Sequence, residues 1–230
     1  MAGGIQQIVP RGCGLVYIPI TKCACTSVKR ALYELEHQRP YQPTPDSESN
    51  GLSIHGFYNQ REDLWTSVAR LRSMQGVVRF AVVRDPVEKL VSCYRHRVVG
   101  QGCLHRVQRA VNRRGLPLDP DINTFCLNLP GYRKASGSIR HHSRHQSDFL
   151  GGTLDYLDRI FPLERLEQLQ EMLSEKFPGT VIPKENSSSG ESGLADLTEE
   201  ALNAAIGYYR KDYKLLQDLY SPEKIFDKWR

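Results

Sequence analysis

The sequence predicts a single α/β domain, residues 1–230, in which helices flank a mostly parallel, doubly wound sheet. Two observations predict this fold class. Short apolar runs alternate with segments of helical periodicity along the chain, which is the pattern of a parallel sheet with helical crossovers. The run "GVVRFAVVR", residues 76–84, is apolar on both faces, as expected for a central strand that is covered on both sides.

A strand and a helix joined by a tight loop are predicted at residues 14–36. "GLVYIPI", residues 14–20, is short, apolar and punctuated by glycine and proline, which indicates a buried strand. After it, apolar residues recur at helical spacing, and Thr26 or Ser27 is available as the N-cap of the helix.

A second strand–helix pair is predicted at residues 76–97, where Pro86 occupies the first turn of the helix. The basic segment 96–148 is predicted to be irregular apart from one short helix, and the polar segment 183–193 to be a mobile loop. The other elements are predicted as helices at residues 62–74, 122–128, 163–176 and 198–219 and as a strand at residues 153–161.

The composition sets few limits on function. Lys and Arg number 31 against 26 Asp and Glu, and the formal charge of +5 suits an anionic ligand. No window approaches the roughly 18 apolar residues of a membrane span, and no signal-peptide pattern is present. We therefore expect a cytoplasmic protein with no membrane span. The 6 cysteines include no C-x-x-C pair, which favours reduced thiols.

The loop before the first predicted helix has the chemistry of an anion site. A helix N-terminus presents N–H groups and a partial positive charge, and Lys22 adds a full charge beside it. Thr26 and Ser27 can donate hydroxyl hydrogen bonds, while Ala24 lets the backbone approach a ligand. The segment lacks the G-x-x-x-x-G-K-[ST] pattern of a nucleoside-triphosphate loop. Without further signals, a capped helix with no ligand is the alternative interpretation.

A second candidate anion site follows the predicted central strand. Arg84 ends that strand and Ser92 lies about two turns into the next helix. Ligands of open α/β sheets bind beyond the carboxyl ends of the strands, so we expect Arg84 to face the same crevice as the Lys22 loop. Arginine can bind a phosphate bidentately. Two such sites suggest a ligand with two separated phosphate-like groups.

Both segments resemble motifs of the carbohydrate sulfotransferases, the Golgi-type branch of the sulfotransferase superfamily and its bacterial relatives. Residues 21–27, "TKCACTS", resemble the P-K-x-A-x-T-S loop of that family, and residues 84–94, "RDPVEKLVSCY", resemble its R-x-P-x-x-R-x-x-S-x-Y element. "YYRKDYKLL" is similar to its aromatic-rich last helix, so the resemblance covers roughly residues 14–220. Thr21 replaces the usual proline and Lys89 replaces an arginine.

The resemblance implies a P-loop-like sheet and a donor, 3′-phosphoadenosine 5′-phosphosulfate (PAPS), whose sulfuryl group is moved to an acceptor hydroxyl, most simply on a carbohydrate. It assigns the 3′-phosphate to Arg84 and Ser92, and makes Lys184 and Ser187 candidates in a late loop that closes on the nucleotide. It assigns the 5′-phosphosulfate to the first loop, namely to Lys22, Cys23, Ala24, Cys25, Thr26 and Ser27.

Two catalytic roles follow from the chemistry of sulfuryl transfer. Lys22 is predicted to stabilise charge on the bridging oxygen as the S–O bond breaks. A base with a pKa near neutrality must deprotonate the acceptor, so histidine is the natural residue type. His55, in a loop and in an H-G context similar to that of uronyl-type sulfotransferases, is the preferred candidate. His142 and His145 are rivals, or alternatively bind an acidic sugar.

Other functions are less well supported by the residues. No metal site is predicted, because Cys23 and Cys25 are too close together for a usual ligand pair and no H-E-x-x-H motif occurs. A non-enzymatic basic protein that binds a polyanion or nucleotide is the main alternative. Its basic tracts, residues 95–114 and 133–144, lack aromatic interleaving, so they are predicted to line a cleft for an acidic glycan and not to bind nucleic acid. An ATP-dependent enzyme would need a Walker lysine, which is missing. The oligomeric state is not predicted.

Overall fold

The computed structural model describes residues 4–43, 51–183 and 193–230 of a mixed α/β protein. The chain divides into two compact units. The first comprises Met1–Val83 and Phe149–Ser188, and the second comprises Arg84–Asp148 and Ser189–Arg230. The organisation of residues 1–230 as a single domain stays a prediction.

Among the described residues, the strands are β1 Ile5–Gln6, β2 Leu15–Ile18, β3 Trp65–Thr66, β4 Val78–Val83 and β5 Arg159–Pro162. The α-helices are α1 Cys25–His37, α2 Ile54–Asn59, α3 Val68–Ser73, α4 Pro86–Cys93, α5 Gln108–Asn112, α6 Ile122–Leu127, α7 Leu129–Ala135, α8 Gly137–His142, α9 Gln146–Phe149, α10 Leu166–Lys176, α11 Glu199–Tyr208, α12 Arg210–Leu215 and α13 Pro222–Trp229.

A parallel three-stranded sheet in the order β2-β4-β5 forms the centre of the first unit. Tyr17 pairs with Phe80 across β2 and β4, and Val82 pairs with Phe161 across β4 and β5. The structure confirms the predicted strand at residues 14–20 and the central parallel strand at residues 76–84. The doubly wound, P-loop-like arrangement of the sheet stays a prediction.

The core of the first unit lies on this sheet. The strand residues Tyr17 and Phe80 are fully buried, and their rings stack with centroids 5.1 Å apart. Helix α1 buries Val28 and Leu32, while α10 packs against β5 and buries Leu169 and Leu173. Burial of each large apolar side chain stabilises the fold by about 1.5–3 kcal/mol. Together these contacts hold β2, and so the start of the loop that follows it, in place.

The predicted helix at residues 62–74 is wrong. The segment contains a 3₁₀ turn, Glu62–Leu64, then strand β3, and only then α3. Strand β3 pairs antiparallel with β1, with Ile5 opposite Thr66. The Ser67 side chain accepts a hydrogen bond from the Arg70 N–H and so begins α3. Tertiary pairing with β1 therefore overrides the helical spacing of the apolar residues.

The predicted strand at residues 153–161 is shorter than expected. Only β5, Arg159–Pro162, pairs with β4, and the residues before it form a turn that the Leu157 N–H closes on the Leu154 carbonyl. The predicted helix at 163–176 begins with a 3₁₀ turn, Leu163–Arg165, and continues as α10.

The second unit is mainly helical, and the prediction of an irregular segment at 96–148 is wrong. After α4 the chain continues as a π-helical turn, Tyr94–Val99. Asp121 caps α6 through the Thr124 N–H, and Ser136 caps α8 through the Ile139 N–H. These helices are short, so each contributes too few periodic positions for its pattern to stand out from the basic residues around it.

The predicted helix at residues 198–219 is interrupted. Thr198 caps it as expected, by accepting a hydrogen bond from the Ala201 N–H. The helix ends at Tyr208, and α12 begins at Arg210. The residue between them, Tyr209, is fully buried and donates its hydroxyl hydrogen to the Ser143 carbonyl at 2.8 Å. Within the described ranges, no helix has both the length and the apolar character that a bilayer crossing requires.

Candidate functional site

The loop between β2 and α1 has an unusual backbone. Lys22 has φ of 67° and Ala24 has φ of 51°, in the left-handed region that costs a non-glycine residue about 1–2 kcal/mol. Only Gln38 shares this property among the other non-glycine residues that the structure describes. The surrounding fold must hold two strained residues here, and such strain concentrates at ligand-binding and active sites.

Helix α1 begins earlier than the sequence suggested. Ala24 is the N-cap and offers no side-chain acceptor, so Thr26 and Ser27 lie inside the first turn and the prediction that one of them caps the helix is wrong. Thr21, just before the strained residues, has a buried Oγ1 without a hydrogen-bond partner in the described part of the chain. An N-terminus without a side-chain cap beside such a hydroxyl fits an anionic group.

The cysteines of the loop differ in exposure. Cys23 is fully buried and its thiol lies 3.6 Å from the Thr21 carbonyl oxygen, while Cys25 is half-buried. All 6 cysteines carry thiols. Because Cys23 is buried, its side chain is not exposed to a ligand, and its backbone N–H donates to the Ile20 carbonyl at 3.4 Å.

His55 lies on helix α2 and not in a loop as predicted. Its Nε2 is 3.0 Å from Thr26 Oγ1, and its Nδ1 is 3.2 Å from Lys29 Nζ. Lys29 is 4% exposed, and burial lowers its pKa from the ordinary value of 10.5. The Tyr58 ring lies 5.7 Å from the ammonium group. The fold thus joins the predicted anion loop and the predicted base in one hydrogen-bonded chain.

Lys29 is the residue of this chain that the sequence reasoning missed. It lies three residues after Thr26 on α1, so the two side chains share a helix face. That spacing was the available signal. The resemblance to the family motif ended at Ser27, and a lysine in a helix is ordinarily assigned to the solvent-exposed face.

In the second unit, the backbone of Arg84 is held by the side chain of Gln146. The Arg84 N–H donates to Gln146 Oε1 at 3.1 Å, and Gln146 Nε2 donates to the Arg84 carbonyl at 2.6 Å. The guanidinium group lies 3.5 Å from the buried carboxylate of Glu88, which also binds Lys228. In the described structure, part of the Arg84 charge is therefore balanced by Glu88.

Helix α4 shows which positions of the second motif face the interior. Ser92 is half-buried near the end of α4. Lys89, where the family motif has arginine, is fully buried, and its ammonium group donates to the carbonyls of His142 and Arg144 at 3.2 and 2.6 Å. The Tyr94 hydroxyl donates to the Pro120 carbonyl. Lys89 and Tyr94 thus stabilise the helical unit.

The rival histidine His145 lies beside a buried carboxylate. Its Nδ1 is 3.6 Å from Asp212 Oδ1, and its ring stacks on Tyr208 with centroids 4.9 Å apart. Burial acts to raise the pKa of Asp212, but His145 and the backbone N–H groups of Ser147 and Gln146 outweigh it and hold that pKa below its ordinary value.

In the first unit, the structure joins Thr26 of the loop to His55. In the second, Arg84 comes just before Asp85, the N-cap of α4, and Ser92 lies within α4. Lys184 and Ser187 lie outside the described residues. Among the residues described, no group of three or more histidine, cysteine, aspartate and glutamate side chains could hold a metal ion.

Comparison with known proteins gives one match. A model of the sulfotransferase family matches residues 6–148, more than half of the chain. This span contains the Lys22 loop, His55 and the segment from Arg84 to Ser92. No curated protein and no solved structure shows a significant match.

Proposed function

Because the chain belongs to the sulfotransferase family, whose reaction is sulfuryl transfer, we propose that it transfers the sulfuryl group of PAPS to an acceptor hydroxyl of a carbohydrate. The observation that best supports a sulfated nucleotide as donor is the strained loop before α1. It combines two left-handed residues, an N-terminus without a side-chain cap and the buried hydroxyl of Thr21. These features suit an anionic group next to Lys22.

The proposed role of Lys22 is electrostatic. When bound, PAPS supplies a sulfuryl group attached to a phosphate through a bridging oxygen, on which negative charge grows as the S–O bond breaks. An ammonium group near that oxygen stabilises the developing charge. The backbone N–H groups of Cys25 and Ser27 and the Thr26 hydroxyl are proposed to hold the phosphosulfate in place, so that the acceptor can approach in line.

Arg84 and Ser92 are the proposed ligands of the 3′-phosphate. A guanidinium group binds phosphate with two parallel hydrogen bonds, and phosphate would replace Glu88 as the partner of Arg84. The clamp of Gln146 on the Arg84 backbone limits the entropy lost on binding. Lys184 and Ser187 remain proposed contacts of the same nucleotide.

A histidine is the proposed base for the acceptor hydroxyl. Both ring nitrogens of His55 already have partners, Thr26 and Lys29. The Nδ1 of His145 lies 3.6 Å from Asp212 Oδ1. A base must have an acceptor nitrogen directed at the substrate. His55 meets this requirement only if one of its two ring nitrogens gives up its present partner.

The nucleotide preference of the purified chain tests the donor. Thermal unfolding is followed with adenosine 3′,5′-bisphosphate, AMP and ATP with Mg²⁺. A PAPS site predicts clear stabilisation by the bisphosphate alone, by about 2.7 kcal/mol at a hundredfold excess over its Kd. Equal and salt-sensitive stabilisation by all three ligands would instead favour a polyanion-binding protein, and a preference for ATP with Mg²⁺ would favour an ATP-dependent enzyme.

Transfer of ³⁵S from labelled PAPS to polysaccharides and small alcohols tests the reaction. The Lys22→Ala variant is expected to lose about 10²–10³-fold in kcat, because its ammonium group acts in the transition state. Lys224→Ala, which removes an exposed lysine on α13, is the matched control and should keep wild-type kcat. An unchanged kcat in Lys22→Ala would exclude the proposed role.

A further inference from the structure

Three side chains of the first unit form a linear hydrogen-bonded series. Lys29 Nζ is 3.2 Å from His55 Nδ1, and His55 Nε2 is 3.0 Å from Thr26 Oγ1. Helix α1 supplies the first and the last member, and α2 supplies the histidine. Lys29 is 4% exposed, so the series is shielded from solvent at its lysine end.

The chemistry of lysine sets the direction of these bonds. An ammonium group has three donors and no acceptor, so the ring nitrogen that faces it must accept a hydrogen bond and cannot carry a proton. A neutral imidazole with an unprotonated Nδ1 carries its hydrogen on Nε2. His55 therefore donates to Thr26 Oγ1. Since that oxygen then accepts, the hydroxyl hydrogen of Thr26 is available for another acceptor.

We propose that Lys29 fixes His55 as the Nε2–H tautomer, and that His55 in turn orients the Thr26 hydroxyl as a hydrogen-bond donor to the anion in the loop. Lys29 and His55 are then positioning residues, and the substrate-facing group is Thr26. The part of this inference that concerns the anion rests on the proposed function. The tautomer of His55 is a property of the protein itself.

The same geometry opposes a role of His55 as the base. Its Nε2 already carries a hydrogen, so a proton from the acceptor would have to go to Nδ1. That would place an imidazolium 3.2 Å from the ammonium group of Lys29, and like charges at this distance disfavour protonation.

The tautomer is tested by ¹⁵N NMR of the imidazole groups in the full chain without nucleotide. The wild type should show an unprotonated Nδ1 and a protonated Nε2 for His55 from pH 6 to pH 8. In Lys29→Met, which has an unbranched side chain one atom shorter and without charge, the two tautomers should mix and His55 should titrate at higher pH. A protonated Nδ1 in the wild type would overturn the proposal, whatever reaction the protein catalyses.

The kinetic test separates positioning from base catalysis. Gln in place of His55 offers an amide N–H near the position of Nε2 but cannot act as a base, whereas Ala offers neither. We expect His55→Gln to keep kcat within about 10-fold of the wild type and His55→Ala to raise the donor KM as Thr26→Val does, because both leave Thr26 misdirected or absent. A loss of about 10²–10⁴-fold in kcat in His55→Gln, equal to that in His55→Ala, is the signature of a lost general base and would contradict the proposal.

A double-mutant cycle provides the final control. In the Thr26→Val background, His55→Gln and Lys29→Met should cause little further change in donor KM, because their common target is already missing. Fully additive effects would show that His55 and Lys29 act elsewhere. If no variant and no wild-type sample transfers sulfate, the proposed function fails while the NMR result still decides the tautomer.

Discussion

Two residues of the loop before α1, Lys22 and Ala24, adopt a backbone conformation that their side chains disfavour. Glycine would adopt the same conformation without strain. Two strained non-glycine residues therefore indicate that the geometry of this loop serves a function, as strained residues do at ligand-binding sites. Left-handed residues turn successive N–H groups toward one side of the chain, which creates a concave surface for anions. The strain is therefore an argument for a ligand that is independent of the family match.

Replacing Ala24 with glycine tests this strain directly. Ala24→Gly is expected to raise the free energy of unfolding by about 0.5–1 kcal/mol, because relief of the left-handed conformation exceeds the added entropy of the unfolded chain. Ala31→Gly, in the buried interior of α1, is the control and should lower it by about 1 kcal/mol. Urea denaturation measures both. Similar losses in the two variants would show that Ala24 is not strained.

Arg84 is expected to recognise one phosphate and not the whole nucleotide. Arg84→Ala should weaken binding of adenosine 3′,5′-bisphosphate about 10–100-fold, which corresponds to the 1.5–3 kcal/mol of hydrogen bonds to a charged group. Binding of AMP, which lacks the 3′-phosphate, should be unchanged. Calorimetric titration of both ligands gives the comparison. Equal losses for the two ligands would mean that Arg84 supports the fold and does not contact the 3′-phosphate.

Helices and strands were predictable where one local signal dominated. β4 is apolar on both faces and was placed correctly as the central strand, and α4 begins at the predicted Asp85-Pro86 pair. The helix expected at residues 62–74 failed because Ser67 serves as the N-cap of α3. Its role depends on the pairing of β3 with β1, which brings together residues about 60 positions apart. Local periodicity contains no information on such pairing.

Replacement of Ser67 by alanine should change the free energy of unfolding in opposite directions for the predicted helix at residues 62–74 and for the observed α3. If residues 62–74 formed one helix, Ser67→Ala would stabilise it, because alanine is the better helix former. Since Ser67 Oγ accepts the Arg70 N–H at 3.2 Å, we expect a loss of about 1 kcal/mol instead. Ser73→Ala, at the end of the same helix, should change stability by less than about 0.5 kcal/mol. Denaturant midpoints of the two variants decide between the alternatives.

The candidate site shows the same division between local and tertiary information. Short motifs identified the Lys22 loop and the Arg84 segment, since backbone turns and helix N-termini are local structures. The contact of His55 with Thr26 joins α2 to α1, and the role of Lys29 follows only from that packing. Nothing in the sequence indicated that the carboxylate of Glu88 lies beside the Arg84 guanidinium group, where it competes with a ligand.

The stability of the whole protein should depend on pH through the buried carboxyl of Asp85. Burial raises its pKa to about 6, although hydrogen bonds from the Val87 and Glu88 N–H groups and from Tyr213 lower it in part. The folded protein then binds a proton at pH values where the unfolded chain has released it. The contribution of Asp85 to the stability of the fold is therefore fully present below its ordinary pKa of 3.8. It is lost as the pH rises through about 6.

Other carboxyl groups change the stability with pH in the opposite direction. The effect of Asp85 is therefore isolated by the difference in stability between the wild type and a variant at that position. Asp212 has a lowered pKa, and its contribution is lost as pH falls below its ordinary range. We expect Asp85→Asn, which keeps an oxygen for the two N–H groups, to gain stability relative to the wild type as pH rises from 4 to 6, by at most about 3 kcal/mol. Above that range the difference should be constant. The difference in Tm across pH 4–8 measures it, with Asp218→Asn, at an exposed position, as control. A difference that does not change with pH would show that Asp85 is ionised throughout, and that the cap of α4 tolerates a buried charge.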